Sequence, residues 1–179
     1  NIDNVFSQFS EPIAAASIAQ VHFAKIKSSN TEIDVAVKVL RPEIEKIINQ
    51  EMERLEWLTS FMENFTEFQR LRPNSIIKKA KEVIKFELDL RYEAAAASEL
   101  SENTNMDESF YVPKVYWDKV TQKILTMEKI IGVPADKIDE LNEKKVNKKQ
   151  AAENLIINFL RQSISCLLYT SPSPRDGFT

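Results

Sequence analysis

Two early segments of the chain, Val21–Lys27 and Ile33–Leu40, are rich in residues that favour β-structure, and the side chains of the second alternate between two faces. The four residues between them, Ser28–Thr31, are turn-forming types, so the two strands are expected to pair as a hairpin. The period-2 pattern assigns the second strand to two faces. Val35, Val37 and Val39 belong to one face, and Ala36, Lys38 and Leu40 belong to the other.

Three longer segments carry apolar residues at spacings of three or four, which predicts amphipathic helices. Four aromatic residues at the end of the first of these segments and just beyond it are expected to pack in the core, the alternative being a surface that faces lipid or a partner: Trp57, Phe61, Phe65 and Phe68. The helices are predicted at Glu43–Phe65, Ser75–Glu102 and Lys148–Ile164, a polar loop at Asn103–Ser109, and two further strands at Tyr111–Tyr116 and Lys123–Lys129.

The composition bounds the kinds of function that are possible. Hydrophobic residues make up 43% and charged residues 28% of the 179 positions, which is typical of a globular domain. The net charge of −3 does not favour nucleic acid as a partner. The single cysteine, Cys166, excludes an intramolecular disulfide, and no secretion signal or bilayer-length apolar run is visible, so a cytoplasmic location is expected.

The segment before the first predicted strand resembles a kinase phosphate loop without its glycines. Protein kinases carry G-x-G-x-x-G-x-V ahead of a V-A-x-K strand. Here Ala14, Ala16 and Ala19 occupy the three glycine positions, and Val21 occupies the valine position. A Cβ atom disfavours positive φ and limits how closely the backbone can approach a phosphate. This loop is therefore expected to cover a nucleotide differently from an ordinary kinase loop.

Lys38 and three acidic residues are the candidates for chemistry. A lone lysine on an edge strand commonly faces solvent, but Lys38 follows the alanine-rich segment by one hairpin, which favours a kinase-like arrangement. Asp89 and Glu93 are four residues apart on a predicted helix and are expected to share a face. Glu87 is expected to point elsewhere, so the three acids are not expected to serve one role.

Together these segments resemble the UbiB family of atypical kinases, also called ADCK proteins. The family's alanine-rich loop, V-A-x-K strand and E-x-D-x-x-x-E-A helix correspond to Ala14–His22, Val35–Lys38 and Glu87–Ala94. Leu125–Gly132 is similar to the family's hinge between lobes. The resemblance implies an α+β fold, namely a protein-kinase-like small lobe with an antiparallel sheet and inserted long helices, truncated before the catalytic loop.

The resemblance also implies a role for each matched residue. Lys38 would pair with Glu93 and contact nucleotide phosphates, the alanine-rich segment would cap the nucleotide, and the hinge would meet adenine. Glu87 and Asp89 match the family's regulatory E-x-D pair near the cleft. The implied nucleotide-binding residues are Ala14, Ala15, Ala16, Ser17, Ile18, Ala19, Gln20, Val21, Ala36, Lys38, Glu93, Met127, Glu128, Lys129 and Ile130.

For the intact parent protein the resemblance implies ATP and Mg²⁺ as cofactors and a role in the biosynthesis of ubiquinone or related isoprenoid quinones. The implied partners are ATP or ADP, isoprenoid quinone intermediates or other lipids, quinone-biosynthesis proteins and a membrane surface. The parent would be peripheral to, or anchored at, the cytoplasmic face of the inner membrane. Two alternatives stay open: a non-catalytic nucleotide-binding regulatory module, and an ordinary protein kinase or small-molecule phosphotransferase.

Residues 1–165 are expected to form a partial kinase-like domain, and residues 166–179 to be a non-native tail. The family's catalytic segment H-x-D-P-H-x-G-N is expected after Ile164, but His22 is the only histidine. The fragment is therefore expected to contain no catalytic residue and no metal ligand, and to be inactive. Arg175–Phe178 mimics pieces of this catalytic segment and of the family's D-F-G motif, and is interpreted as a decoy.

Overall fold

The computed structural model of the chain describes residues 5–28, 31–107 and 109–170, so parts of the predicted turn at 28–31, the predicted loop at 103–109 and residues 171–179 lie outside the described residues. The described residues form two compact units. The first comprises the residues up to Asn103 together with Val112–Ile130, and the second comprises Thr104–Tyr111 together with the residues from Ile131 onward. The elements are β1 (Phe6–Ala15), β2 (Ala19–Ser28), β3 (Thr31–Leu40), α1 (Ile44–Met62), α2 (Thr66–Gln69), α3 (Pro73–Glu87), α4 (Leu90–Asn103), β4 (Ile124–Glu128), α5 (Ile138–Glu143) and α6 (Lys148–Thr170), with a short 3₁₀ turn at Trp117–Lys119 before β4.

The first unit is built on a four-stranded antiparallel sheet in the order β1-β2-β3-β4. The predicted α+β fold and the predicted strands β2, β3 and β4 are confirmed. The pairing of β2 with β3 runs without a break from Ala19 opposite Leu40 to Ser28 opposite Thr31. This continuous pairing fixes the positions of the side chains on both faces of β2 and β3.

The two faces of β3 contribute to two separate clusters of buried residues. Val35 and Val37 are buried with Phe6 and Ile26 on one face, as the alternation predicts. On the other face, Leu40 joins a cluster that α4 covers. Its buried members are Ala19, Leu40, Leu90, Ala94 and Leu125. The small side chains of the alanines let the helix approach the sheet closely.

Strand β1 was not predicted from the sequence. Its pairing with β2 contains register shifts between Phe6 and Gln8 and on both sides of Pro12. Proline cannot donate to a strand ladder, so a strand with this residue and these bulges has a weak period-2 pattern. The predicted alanine loop is consequently strand, turn and strand: Ala14 and Ala15 end β1, and Ala19 begins β2.

The predicted helix Ser75–Glu102 is wrong as a single helix, because it is divided into α3 and α4. Leu88 and Asp89 separate the two helices and are themselves buried. The N–H of Leu90, the first residue of α4, donates to the carbonyl of Gln122 at 2.9 Å. The apolar spacing continues across this break, so periodicity alone does not reveal it.

Other boundaries also differ from the predictions. The predicted strand at Tyr111–Tyr116 is wrong, since the segment contributes an isolated bridge between Val115 and Met127. Helix α5 was not predicted. Helix α6 extends to Thr170 rather than ending near Ile164. The non-native origin of residues 166–179 stays a prediction.

The expectation that the four aromatic residues pack in the core is wrong for Trp57, Phe61 and Phe65, which are exposed, whereas Phe68 on α2 is half-buried. Trp57 is 73% exposed, and its ring stacks on that of Phe61 at 6.5 Å between centroids. α1 contacts α3, and these contacts include a hydrogen bond of 2.6 Å from Thr59 Oγ1 to Asn74 Oδ1. Among the described residues, no helix has the length and apolar character that crossing a bilayer requires.

Candidate functional site

Lys38 and Glu93 form an ion pair on the α4 side of the sheet. The Nζ atom of Lys38 donates to Glu93 Oε1 at 2.8 Å and to Oε2 at 2.6 Å. Glu93 lies in the first turn of α4, whose residues Leu90 and Ala94 are buried against the sheet. The packing of α4 against the sheet therefore fixes the position of the Glu93 carboxylate beside Lys38. A partly exposed pair adds little to folding stability, so its main effect is to hold the ammonium group in place.

Small and apolar residues surround Lys38 on its face of the sheet. Lys38 is opposite Val21 of β2 and Leu125 of β4, while Ala36 is opposite Met127. Directly paired residues in an antiparallel sheet share a face. Lys38 is consequently flanked by apolar residues, and Ala36, two residues before it on the same face, is opposite Phe23 of β2.

The turn between β1 and β2 lies at the end of this face. The N–H of Ala16 donates to the carbonyl of Ala19 at 2.9 Å, with Ser17 and Ile18 at the tip. Among the described residues, positive φ occurs at Glu43, Arg72 and Lys145, so the turn has none. Alanine adopts negative φ without strain. This explains how the turn forms with alanine at the positions where a kinase loop has glycine.

The alanine-rich segment is graded in exposure. Ala14, Ala15, Ala16 and Ser17 are exposed, and Ile18, Gln20 and Val21 are half-buried. Ala19 is 2% exposed and belongs to the cluster that α4 covers. The base of the turn is thus fixed in the core, and its tip is accessible to a ligand.

The three acidic residues take separate positions. Asp89 precedes α4, and its Oδ1 accepts from the backbone N–H of Arg91 at 3.1 Å, as an N-cap does. The hydrogen bond from the Arg91 side chain is the main cause that lowers the pKa of Asp89. Glu87 is the exposed last residue of α3. The expected shared helical face of Asp89 and Glu93 is wrong, because α4 begins after Asp89.

The predicted hinge follows the end of β4. The N–H of Glu128 donates to the carbonyl of Lys114 at 2.8 Å, and the N–H of Lys129 donates to that of Asp34 at 3.4 Å. The Nζ atom of Lys129 lies 4.3 Å from the centre of the Phe23 ring. Ile130, which comes next, is 50% exposed. The segment is therefore attached to β3 and to the chain before β4.

The structure brings Lys38, Glu93 and the apolar surface together, whereas Glu87 contributes nothing to this group. Arg41, which directly follows β3, was not predicted as a site residue; its Nε atom donates to the carbonyl of Ala16 at 3.1 Å. Within the described ranges, no three histidine, cysteine or acidic side chains lie close enough to hold a metal.

Comparisons with known proteins identify a matching family model and several similar proteins. Residues 1–168 match the model of the ABC1 atypical kinase-like domain. The chain is 39% identical over 163 residues to a protein of Pseudomonas aeruginosa (strain PAO1) named "Probable protein kinase UbiB", covering 90% of this chain and 30% of that protein. A protein of the same name from Cellvibrio japonicus is 37% identical over 164 residues, covering 90% and 29%. The chain thus spans about 30% of the length of these relatives.

Proposed function

This chain belongs to the family of ABC1 atypical kinase-like domains, and from that membership we propose that the α4 side of its sheet binds ATP. The observation that carries the proposal is the Lys38–Glu93 pair, which stands beside an accessible turn at the end of β1. In kinase folds a strand lysine held by a helical glutamate contacts the nucleotide phosphates. The pair, the apolar surface and the turn supply the parts that such binding needs.

Each part has a proposed task in binding. Lys38 would contact the phosphates, with Glu93 keeping its ammonium in place. Val21, Ala36 and Met127 would lie against the flat adenine ring, which is largely apolar on its faces. The exposed tip of the alanine turn would cover the phosphates.

At the hinge, we propose that the backbone of Ile130 meets the adenine edge. The N–H groups of Glu128 and Lys129 already donate to the carbonyls of Lys114 and Asp34. Ile130 is the next residue along and is half exposed. Glu87 and Asp89 would act in regulation, since Asp89 caps the helix that carries Glu93 and so fixes where that helix begins.

For the full-length protein we propose an ATP-dependent role in the biosynthesis of ubiquinone or related isoprenoid quinones, at the cytoplasmic face of the membrane. ATP, bound with Mg²⁺, would supply the phosphoryl group that is transferred to water or to another acceptor, with ADP as the leaving group. Quinone intermediates or other lipids and quinone-biosynthesis proteins would be the partners. The support is the order of the three motifs and the similarity to the UbiB proteins. The relatives' name, "Probable protein kinase", favours protein phosphorylation as the second candidate.

Nucleotide binding by the full-length protein tests the first proposal. Lys38→Ala is expected to weaken ATP binding about tenfold or more, which is the scale of one lost charged hydrogen bond. Lys27→Ala, an exposed lysine on β2 of the same sheet, is the matched control and is expected to change nothing. Absence of ATP binding by the wild-type protein would overturn the proposal.

Turnover separates the remaining candidates. Mg²⁺-dependent ATP hydrolysis without phosphorylated protein supports the ATPase, labelled protein product supports the kinase, and binding without either supports a regulatory module. The coding sequence downstream of Ile164 provides a second test. The segment H-x-D-P-H-x-G-N there supports the proposal, whereas H-R-D-L indicates an ordinary protein kinase.

A further inference from the structure

Arg41, the first residue after β3, contacts the alanine turn with both its backbone and its side chain. Its backbone N–H donates to the carbonyl of Ile18 at 2.9 Å. Its side-chain Nε donates to the carbonyl of Ala16 at 3.1 Å. A single residue thus holds two carbonyl groups of a three-residue connection.

The conformation of the turn explains why an external support matters. Ala15 and Gln20 are the last pair of the β1–β2 ladder, and Ser17 and Ile18 form the tip. Short connections between paired strands favour turn types with positive φ, because these match the twist of the strands. The residues of this turn have negative φ. The turn therefore lacks the usual geometry that would fix a tight hairpin by itself.

The side-chain contact replaces a bond that belongs to an ordinary turn. In a closed β-turn the carbonyl of the first residue accepts from the N–H three residues later. Here the carbonyl of Ala16 accepts from the guanidinium of Arg41. A charged donor makes a stronger hydrogen bond than a neutral one, so it can hold a turn of unfavourable type.

Arg41 also ties the turn to the strand that carries Lys38. Arg41 directly follows Leu40, which is 6% exposed and pairs with Ala19 at the base of the turn. The N–H of Leu40 donates to the carbonyl of Lys123 at 3.0 Å, which fixes this end of β3 beside β4. A displacement of the turn relative to Lys38 would therefore have to break the contacts that Arg41 makes.

We infer that Arg41 is a positioning residue, whose guanidinium holds the alanine turn over the phosphate groups of a bound nucleoside triphosphate. This inference rests on the proposed function. Because the turn covers phosphates and the hinge contacts the base, Arg41 contributes to affinity for ATP and not for adenosine. Its backbone contact survives any substitution other than proline, so the side chain can be tested by itself.

The test compares Arg41→Ala and Arg41→Lys with the wild-type full-length protein. Arg54→Ala is the matched control, because Arg54 lies on α1 in the same unit and pairs there with Glu51. The first measurement is hydrogen exchange at the amides of Ala16 and Arg41 without nucleotide. The second is the affinity for ATP and for adenosine.

Arg41→Ala is expected to speed exchange at both amides and to weaken ATP about tenfold, the effect of one charged hydrogen bond, with adenosine affinity unchanged. Arg41→Lys keeps the charge but not the planar donor geometry, so partial recovery is expected. Wild-type exchange rates in Arg41→Ala, or an equal loss of ATP and adenosine affinity, overturn the inference. If the wild-type protein binds no ATP, the proposed function fails and takes the phosphate role with it. Unchanged ATP binding in all variants removes Arg41 alone.

Discussion

Lys38 and Glu93 are 55 positions apart in the chain, yet the lysine Nζ lies 2.6 Å from one carboxylate oxygen and 2.8 Å from the other. The contact joins β3 to α4 across the face of the sheet. The side chains are 27% and 44% exposed, so solvent screens the pair in the absence of ligand. The main effect of the pair is consequently to hold the ammonium group of Lys38 in one position.

Glu93→Gln should separate ligand binding from stability. Because the pair is partly exposed, its loss is expected to lower the free energy of unfolding by no more than about 1 kcal/mol. ATP affinity is expected to fall severalfold, since Lys38 loses the charge that orients it. Chemical denaturation and titration with ATP measure the two effects. Glu99→Gln, an exposed acid on the same helix, is the control and should change neither.

Leu90→Ala should be strongly destabilising. Leu90 is 1% exposed and packs with Ala94 and Leu125 between α4 and the sheet. Truncating a buried leucine leaves a cavity and costs about 2–5 kcal/mol. Urea denaturation should show this decrease, together with weaker ATP binding, because the same packing carries Glu93 to Lys38. Trp57→Gln on the exposed face of α1 is expected to change stability by no more than about 0.5 kcal/mol.

Lys38 and Leu90 also show how much of the site could be predicted from the sequence alone. The alternation in β3 predicted that Lys38 and Val37 face opposite sides, and the resemblance supplied Glu93 as the partner. The sequence did not reveal that one helix ends before Leu88 and the next begins at Leu90, because the apolar spacing of a helix continues through Leu88. The break is set by tertiary contacts, including the N–H of Leu90 bonding to Gln122. Such contacts leave no local periodic signal.

The alanine turn shows the same limit. Its sequence indicated a kinase-like phosphate loop, but not that β1 precedes it, because Pro12 and the bulges obscure the strand pattern. The contact between Arg41 and Ala16 joins residues 25 positions apart, and arginine after a strand has many possible partners. The family resemblance therefore predicts the kind of site, whereas the contact between Arg41 and Ala16 is visible only in the three-dimensional structure.

Asp89 should make stability depend on pH in the acidic range. Its pKa is lowered from the ordinary value of 3.8, chiefly by the side chain of Arg91. The charged form is therefore favoured in the folded state. The resulting stabilisation is fully present above pH 3.8, the ordinary value, and is lost as pH falls through the lower folded pKa.

Thermal unfolding of the wild type and Asp89→Asn from about pH 6 to about pH 2 measures this contribution. The difference between the two proteins is expected to be largest at the upper end and to shrink below the ordinary pKa. Glu87→Gln, at the exposed end of α3, is the neighbouring control and should keep the wild-type profile. A constant difference across the whole range would contradict the prediction.

Glycine substitutions at two positions should have opposite effects, which tests the backbone of the alanine turn. Ala16 has negative φ, so glycine there gains nothing in the folded state and makes the unfolded chain more flexible. Ala16→Gly is expected to lower the free energy of unfolding by about 0.5–1 kcal/mol. Glu43 has a φ of 57° and makes no side-chain cap to α1. Glu43→Gly relieves that left-handed conformation and is expected to stabilise by a similar amount, about 0.5–1 kcal/mol. Stabilisation by Ala16→Gly in urea denaturation would mean that the turn requires positive φ, and the account of how alanine replaces glycine there would be wrong.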